Sequence, residues 1–460
     1  MNRPVADARV IDVHDFLNNQ RFSLFHLMLM ILCFFVVALD GFDTGALGYI
    51  APTLAQTWQI PRDALGPVLS AALVGLGIGA IIGGPIADRI GRKVVLIVSV
   101  IFFGVWSIAS AYATSIESLT VLRLLTGLGL GAAVPNAVTM TSEYAPERIR
   151  GIIVNTMFVG FAVGLASGGV TSAYLIPHFG WQSVLLLGGV APVLLSIALA
   201  IWLPESARFL IARRRSSENI ARILKRLAPH AVFDGVVFSS QRIQAARHNP
   251  VFELFSRRYI LGTLMLWLSY IMCLAVFYLL TNWMPMLFKA SGFSLHQSVI
   301  TTSMLHWGGC LGMLIAGWFM DRFQPFKVVS FFCILTAVMV VIVGRNVGHP
   351  SLMSVLLFIT GVAMSGAAGS IAPLAAEYYP TAIRATGVAW VLALGRLGAI
   401  GGAFGGAVLV GLGWQLGAIF SLLAVPLGMT ALTLLVVMFD STRHRTGQGQ
   451  AIPQSMTELL

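Results

Sequence analysis

The sequence predicts an all-α membrane protein whose twelve spans form two pseudo-symmetric six-helix bundles. Three observations predict this class. Of the 460 residues, 57% are apolar and only 10% charged, where soluble domains carry about 25% charged residues; the mean hydropathy is +0.86. Apolar runs of about 20 residues, the length that crosses a bilayer core, recur twelve times along the chain. A set of short polar motifs also appears twice, at an offset of about 233 residues.

In order, the runs cover roughly 22–48, 65–86, 94–113, 118–141, 151–174 and 181–203, then 259–287, 296–320, 327–345, 351–376, 385–410 and 413–438. They divide the chain into an N-terminal segment (1–21), a first bundle (22–203), a polar linker (204–258), a second bundle (259–438) and a tail (439–460). The first 21 residues are mixed polar and acidic, with no short apolar core or small-residue cleavage site, so no cleavable signal is expected. The linker holds Arg213, Arg214 and Arg215 and a stretch with helical character from Asn219 to Leu227.

The net charge of +11 would suggest nucleic acid in a soluble protein. Here the basic residues lie on loops and report orientation instead, so no nucleic-acid partner is expected. With both termini cytoplasmic, 24 Lys and Arg fall on cytoplasmic segments and three on outside loops (Arg62, Lys289 and Arg345). That excess predicts an N-in, C-in arrangement. Cys33, Cys273, Cys310 and Cys333 lie inside apolar runs, so neither a disulfide framework nor a metal-ligand spacing follows from them.

The repeated motifs recur at offsets of 233 or 234 residues. Asp88-Arg89 matches Asp321-Arg322, and Gly127 matches Gly361. Glu143-Tyr144-x-Pro146-x-x-Ile149-Arg150 matches Glu377-Tyr378-x-Pro380-x-x-Ile383-Arg384, and Gly180-Trp181-Gln182 matches Gly413-Trp414-Gln415. They argue for a duplicated six-helix unit. Parallel halves with a binding site at mid-depth are an established plan for carriers.

Polar residues inside the spans are the candidate site. Asp40-Gly41-Phe42-Asp43 ends the first apolar run and puts two carboxylates on one helix face. Burying one of them in hydrocarbon costs at least about 2.5 to 3.5 kcal/mol, so the pair is expected to look into a cavity. Desolvation and mutual repulsion favour the protonated form of close carboxyls, which titrate together. Asp40 and Asp43 are therefore candidates for carrying a proton; the competing reading makes them structural ion-pair partners.

Arg123, about one turn into the fourth span, cannot discharge itself and needs a partner; the Asp pair is the expected one. A plain tie between the first and fourth helices is the alternative. Arg396, in the eleventh span, has no carboxylate in its own helix, and Ala162 stands at its repeat position. A guanidinium binds carboxylates bidentately, so Arg396 is a candidate anchor for an acidic ligand, against a role in bonding backbone carbonyls. Phe42, Phe161, Phe277, Tyr278, Trp307 and Trp390 could wall an aromatic ligand, although ordinary packing explains each of them as well. Asn136, Asn282 and His306 could read a ring hydroxyl, with packed neutral side chains as the plainer alternative. The Gly75-x-Gly77-x-Gly79 and Gly127-x-Gly129-x-Gly131 runs lack a Lys-Ser/Thr ending and read as helix-packing surfaces.

No nucleophile, metal cluster or cofactor motif appears, which argues against a membrane enzyme, and no cofactor or metal is expected. The short linker and tail argue against a membrane sensor with an output domain.

Gly84-Pro85-x-Ala87-Asp88-Arg89-x-Gly91-Arg92-Lys93 resembles the loop between the second and third helices of the major facilitator superfamily. Arg123-x-x-x-Gly127-x-Gly129-x-Gly131 resembles its fourth-helix motif, and Pro204-Glu205-Ser206-Ala207-Arg208 its sixth-helix ending. Together with the first-helix acids, the pattern is similar to the aromatic acid:H⁺ symporters. The resemblance implies a multi-pass carrier of the bacterial inner membrane, working as a monomer among lipids and importing a small aromatic carboxylate such as a hydroxybenzoate with protons, by alternating access. A nonaromatic organic acid, muconate-like, is the alternative cargo. It also implies a cytoplasmic gate from Asp88, Arg89, Arg92, Lys93, Glu143 and Arg150, with Asp321, Arg322, Glu377 and Arg384 in the repeat. The second loop continues Phe323-Gln324-Pro325-Phe326-Lys327, without the Gly-Arg-Lys ending, so the two halves of this gate are not expected to be equivalent.

Overall fold

The computed structural model describes residues 10–213, 217–228, 233, 236–239, 250–346, 348–380 and 382–449. Residues 1–9 and 450–460, Arg214, Arg215 and much of the linker lie outside this set. The chain divides into two compact units, Met1–Ala245 and Ala246–Leu460.

The first unit begins with a short strand β1 (Val10–Asp12) and helix α1 (Val13–Asn18). The long helices α2 (Leu24–Thr57), α3 (Gly66–Ile90), α4 (Arg92–Ser110), α5 (Ile116–Tyr144), α6 (Glu147–Phe179) and α7 (Gln182–Trp202) follow. After them come α8 (Ala207–Ala212), α9 (Ser217–Leu227) and strand β2 (Val237–Ser239). The second unit contains α10 (Pro250–Leu254), α11 (Ile260–Ala290), α12 (Leu295–Met320), α13 (Pro325–Arg345), α14 (Pro350–Tyr378), α15 (Arg384–Gly411) and α16 (Leu416–Gly449). Among the described residues twelve helices, α2 to α7 and α11 to α16, are long and apolar enough to cross a membrane. Helices are the form such segments must take, because each satisfies its own backbone hydrogen bonds where water is absent.

α16 runs to Gly449 rather than stopping near 438, and α2 runs to Thr57 rather than stopping near 48. Its last turns bury Tyr49, Ile50 and Leu54 against protein, so packing continues the helix past the point where bulk hydropathy falls.

Both units use the same packing device. A Cβ on Gly127 of α5 would lie 2.0 Å from the Ala72 carbonyl oxygen of α3, and one on Gly361 of α14 would lie 1.8 Å from the Leu305 oxygen of α12. Repeat-related glycines thus let two backbones touch, which is how membrane helices gain contact without a hydrophobic drive between them. The turns at Gly180 (φ +79°) and Gly413 (φ +74°) are likewise a repeat-related pair in the left-handed region.

The linker and the N-terminal segment bind each other, which the sequence pattern did not announce. β1 pairs in parallel with β2, Val10 opposite Val237. α1 buries Val13 and Leu17 in the cluster that holds Ile220, Leu224 and Leu227 of α9, and the Phe16 ring meets Phe233 edge-on at 5.6 Å. His14 lies between Glu147 at the start of α6 (3.2 Å) and Arg208 of α8 (3.0 Å). Residues 10–18 thereby fasten α8, α9 and β2 to the first unit.

Candidate functional site

In the first unit the intramembrane charges converge. Asp40 and Asp43 are both buried on α2, at 5% and 2% exposure. Gly41 between them lets α6 come close, since a Cβ there would stand 2.1 Å from the Phe161 carbonyl oxygen. Phe42 packs its ring against Gly188 of α7 and Gly168 of α6, so this aromatic is held in helix packing.

Arg123 of α5 is fully buried, and its Nη1 donates to Asp43 Oδ1 at 3.0 Å. Ser110, at the end of α4, accepts from Arg123 Nε at 3.2 Å and Nη2 at 2.9 Å. Ser107, one turn earlier, has its hydroxyl 3.1 Å from Asp43 Oδ1 and 3.3 Å from the Leu185 carbonyl oxygen of α7. Four helices therefore meet on one guanidinium–carboxylate contact. A buried ion pair is tolerated only with further hydrogen bonds around it, and the two serines supply them to Arg123 Nε and Nη2 and to Asp43 Oδ1. Neither serine was singled out in the sequence, because Ser is common in membrane helices and usually bonds its own helix backbone.

The other expected recognition residues divide. Asn136 of α5 donates its amide to the Ala132 carbonyl of its own helix at 2.8 Å, which accounts for it locally. In the second unit, Asn282 of α11 and His306 of α12 are buried, at 2% exposure each. The Phe277 ring stands 6.2 Å from His306, edge-on, and His306 Nε2 has no hydrogen-bond partner among the described residues. Arg396 is half-buried on α15. At the adjoining Gly395 the ring of Tyr270 of α11 crosses so closely that a Cβ there would lie 2.2 Å from ring carbon Cδ1. Tyr270 was not a sequence candidate. Trp390 stacks on Trp267 at 5.8 Å, while Trp307 and Trp390 are both 38% exposed.

The loop motif builds a separate charged cluster at the α3–α4 turn. Asp88 accepts from Arg92 Nη2 at 3.3 Å, and Arg92 Nε lies 3.3 Å from Glu143 at the end of α5. Glu205 caps α4 from outside the helix, accepting from the backbone N–H groups of Arg92 (3.0 Å) and Lys93 (3.1 Å). Gly91, at φ +110°, is required here; any Cβ would strike Glu205 Oε2. Tyr144 donates its hydroxyl to the Glu205 carbonyl, Ser206 donates to Glu143, and Lys93 Nζ reaches the Ala200 carbonyl at 2.8 Å. Arg89 itself is exposed, but its carbonyl accepts from Arg213 at 2.8 Å. Replacing Glu205 by Gln should lower stability by about 1 kcal/mol, the usual worth of a helix cap with its charge–dipole contact; thermal unfolding of the purified protein reads the difference.

Glu143 and Arg150, grouped together from the sequence, do not pair: Glu143 meets Arg92. Arg150 lies 3.8 Å from Glu147 and reaches the Ala145 carbonyl at 3.5 Å. The α5–α6 turn is tight, so the arginine folds back on the C-cap of α5, and Arg384 does the same to the Tyr379 carbonyl at 3.4 Å. The loop of the second unit differs from the first, as its sequence requires. Pro325 begins α13 where the first unit has Arg92, Asp321 has no ion pair among the described residues, and Arg322 lies over the Trp318 ring at 4.0 Å. At the end of α14, Tyr378 donates to Asp440 Oδ2 at 2.7 Å. No group of His, Cys, Asp and Glu that could hold a metal occurs among the described residues.

Twelve spanning helices in two units with repeated packing, and a charged constellation buried inside one of them, define a multi-pass membrane carrier. The sequence pattern of the Major Facilitator Superfamily matches residues 33–344 and 300–458, and the chain belongs to that superfamily; it is a transporter, not an enzyme. It is 47% identical to a 4-hydroxybenzoate transporter, PcaK, of Pseudomonas putida, over 93% of this chain and 96% of that protein. It is 43% identical to a gallate transporter of the same species, over 95% and 96% of the two chains. In fold it is similar to the crystal structure of a D-xylose-proton symporter, with a TM-score of 0.69 at 18% identity, covering 89% of this chain and 97% of that one. The resemblance to the aromatic acid:H⁺ symporters read from the first-helix acids is thus matched by whole-length relatives.

Proposed function

We propose that this protein is a symporter that imports an aromatic carboxylate, a hydroxybenzoate in the first instance, together with protons by alternating access. The observation that carries the proposal is the buried contact of Asp43 with Arg123, one turn from Asp40. A carboxylate that must pair when charged, and can stand alone when neutral, is the element a proton-driven carrier needs. The activities for which the relatives are named, 4-hydroxybenzoate and gallate transport, supply the substrate class.

In this reading Asp40 and Asp43 take the proton, and Arg123 holds the ionised state. Arg396 anchors the substrate carboxylate, while Asn282 and His306 are left to read a ring substituent. The Asp88, Arg92, Glu143 and Glu205 cluster locks the cytoplasmic end of the first unit, and Asp321, Arg322, Glu377 and Arg384 form a weaker counterpart in the second. The orientation is N-in, C-in in the bacterial inner membrane, as the basic loops imply, with the monomer as the working unit among lipids.

Uptake by proteoliposomes under an inward proton gradient tests the proposal. 4-Hydroxybenzoate should accumulate and cis,cis-muconate should not; accumulation of muconate alone would transfer the assignment to the nonaromatic acids. Arg396→Lys keeps the charge but loses the fork, so the half-saturating concentration of 4-hydroxybenzoate should rise about tenfold, the equivalent of one good charged hydrogen bond. An unchanged value would remove Arg396 as a bidentate anchor.

A further inference from the structure

We propose that Ser107 is a positioning residue that reads the protonation state of Asp43 and passes the contact from helix α2 to helix α7. This rests on the proposed proton coupling through Asp43. The side chain is fully buried, and its hydroxyl carries one proton but faces two acceptors, Asp43 Oδ1 at 3.1 Å and the Leu185 carbonyl oxygen at 3.3 Å. It can donate to one of them at a time. An ionised carboxylate is the stronger acceptor, so with Asp43 charged the hydroxyl belongs to α2.

Arg123 Nη1 and Ser107 both address Oδ1, and no donor among the described residues reaches Oδ2. A proton arriving at Asp43 therefore has Oδ2 to settle on. The neutral acid attracts both donors less, and the hydroxyl turns to the Leu185 carbonyl without giving up its own proton. Arg123 is not set loose by this change, because Nε and Nη2 remain on Ser110, whose hydroxyl donates in turn to the Trp106 carbonyl at 2.7 Å. Ser107 and Ser110 stand three residues apart on one face of α4, so α4 and α5 stay joined in both states. The contact that changes is the one to α2, the helix that carries the acids.

The groups around Asp43 make this assignment specific. The ionisable neighbours are Asp40 on its own helix and Arg123 on α5. α4 presents the two serine hydroxyls, and α7 presents the Leu185 carbonyl. α6 meets the same stretch of α2 through Phe161, Gly164, Leu165 and Gly168, and Tyr49, further along α2, is already bonded to the Leu165 carbonyl at 2.9 Å.

The test is substrate counterflow in proteoliposomes with equal pH on both sides, run from acid to alkaline pH on wild type, Ser107→Ala, Ser107→Thr and Asp43→Asn. A donor that serves only the ionised acid, once removed, lets the proton stay to higher pH. The midpoint of the Ser107→Ala profile should move up by about one pH unit, the worth of one hydrogen bond to a charged group, while Ser107→Thr keeps the wild-type midpoint. A Ser107→Ala profile that superimposes on wild type, or one scaled down equally at every pH, overturns the inference and leaves a packing role. Gradient-driven accumulation measured on Asp43→Asn separates the two levels. If it is lost while Ser107→Ala fails to shift, only the Ser107 inference falls; if it persists, the proton reading itself falls.

Discussion

Asp43→Asn should abolish accumulation of substrate against its gradient. The amide can neither take up nor release a proton, and it no longer neutralises Arg123, which is fully buried. Breaking one side of a buried ion pair usually costs about 3 to 5 kcal/mol, because a charge is left without its counterion. Ser110 still satisfies two guanidinium nitrogens, so the loss of stability should fall toward the lower part of that range and the protein should still insert. The two effects are separable. Accumulation under an imposed proton gradient should drop to the level of empty liposomes, while thermal unfolding should show a lowered but cooperative transition. Full accumulation by Asp43→Asn would remove this residue from the coupling, and the same measurement on Asp40→Asn assigns the second acid.

The second large effect concerns packing. Gly164 of α6 faces α2 at the level of the acids, where a Cβ would fall 1.9 Å from the Ala38 carbonyl oxygen and 2.8 Å from the Phe42 amide nitrogen. Both obstacles are backbone and cannot rotate away. Gly164→Val should therefore force α2 and α6 apart, at or beyond the upper end of the usual overpacking range of about 1 to 3 kcal/mol, and displace Asp40 and Asp43 with them. The expected result is a sharp fall in folded yield and a lowered unfolding temperature. A Cβ on Gly77, in the neighbouring α3, would meet nothing within 4 Å, so Gly77→Ala should leave both properties unchanged. Equal behaviour of the two variants would mean that the α2–α6 contact is not what holds the acids in place.

How much of this was legible in the sequence depended on contrast. Asp40, Asp43 and Arg123 stand out because charges are rare in apolar runs, and the chemistry that makes them expensive there also predicts that they meet. The duplicated bundle was readable because Gly127 and Gly361, and Gly180 and Gly413, recur at nearly the same offset, 234 and 233 residues. Ser107 and Ser110 could not be recognised, since a serine signals nothing until the helix that faces it is known. Tyr270 was hidden for the same reason: the room for its ring is set by Gly395, a residue whose meaning appears only when α11 is laid against α15. Glu205 was visible as a motif letter, yet its task as the cap of α4 depends on a left-handed Gly91 more than a hundred residues earlier. β1 and β2 are three residues each, too short for an alternating pattern, and their pairing joins opposite ends of the first unit's sequence.

The central claim is that the charge on Asp43 is exchanged for a proton each time substrate crosses. Proteoliposomes loaded with a pH-sensitive dye, given an outside-to-inside gradient of 4-hydroxybenzoate and no initial pH difference, measure this directly. The wild-type protein should acidify the lumen in step with substrate entry, faster than passive diffusion of the acid, and Asp43→Asn should show no acidification above that of protein-free vesicles. Substrate entry without proton entry in the wild type, or the same acidification in Asp43→Asn, would contradict the account.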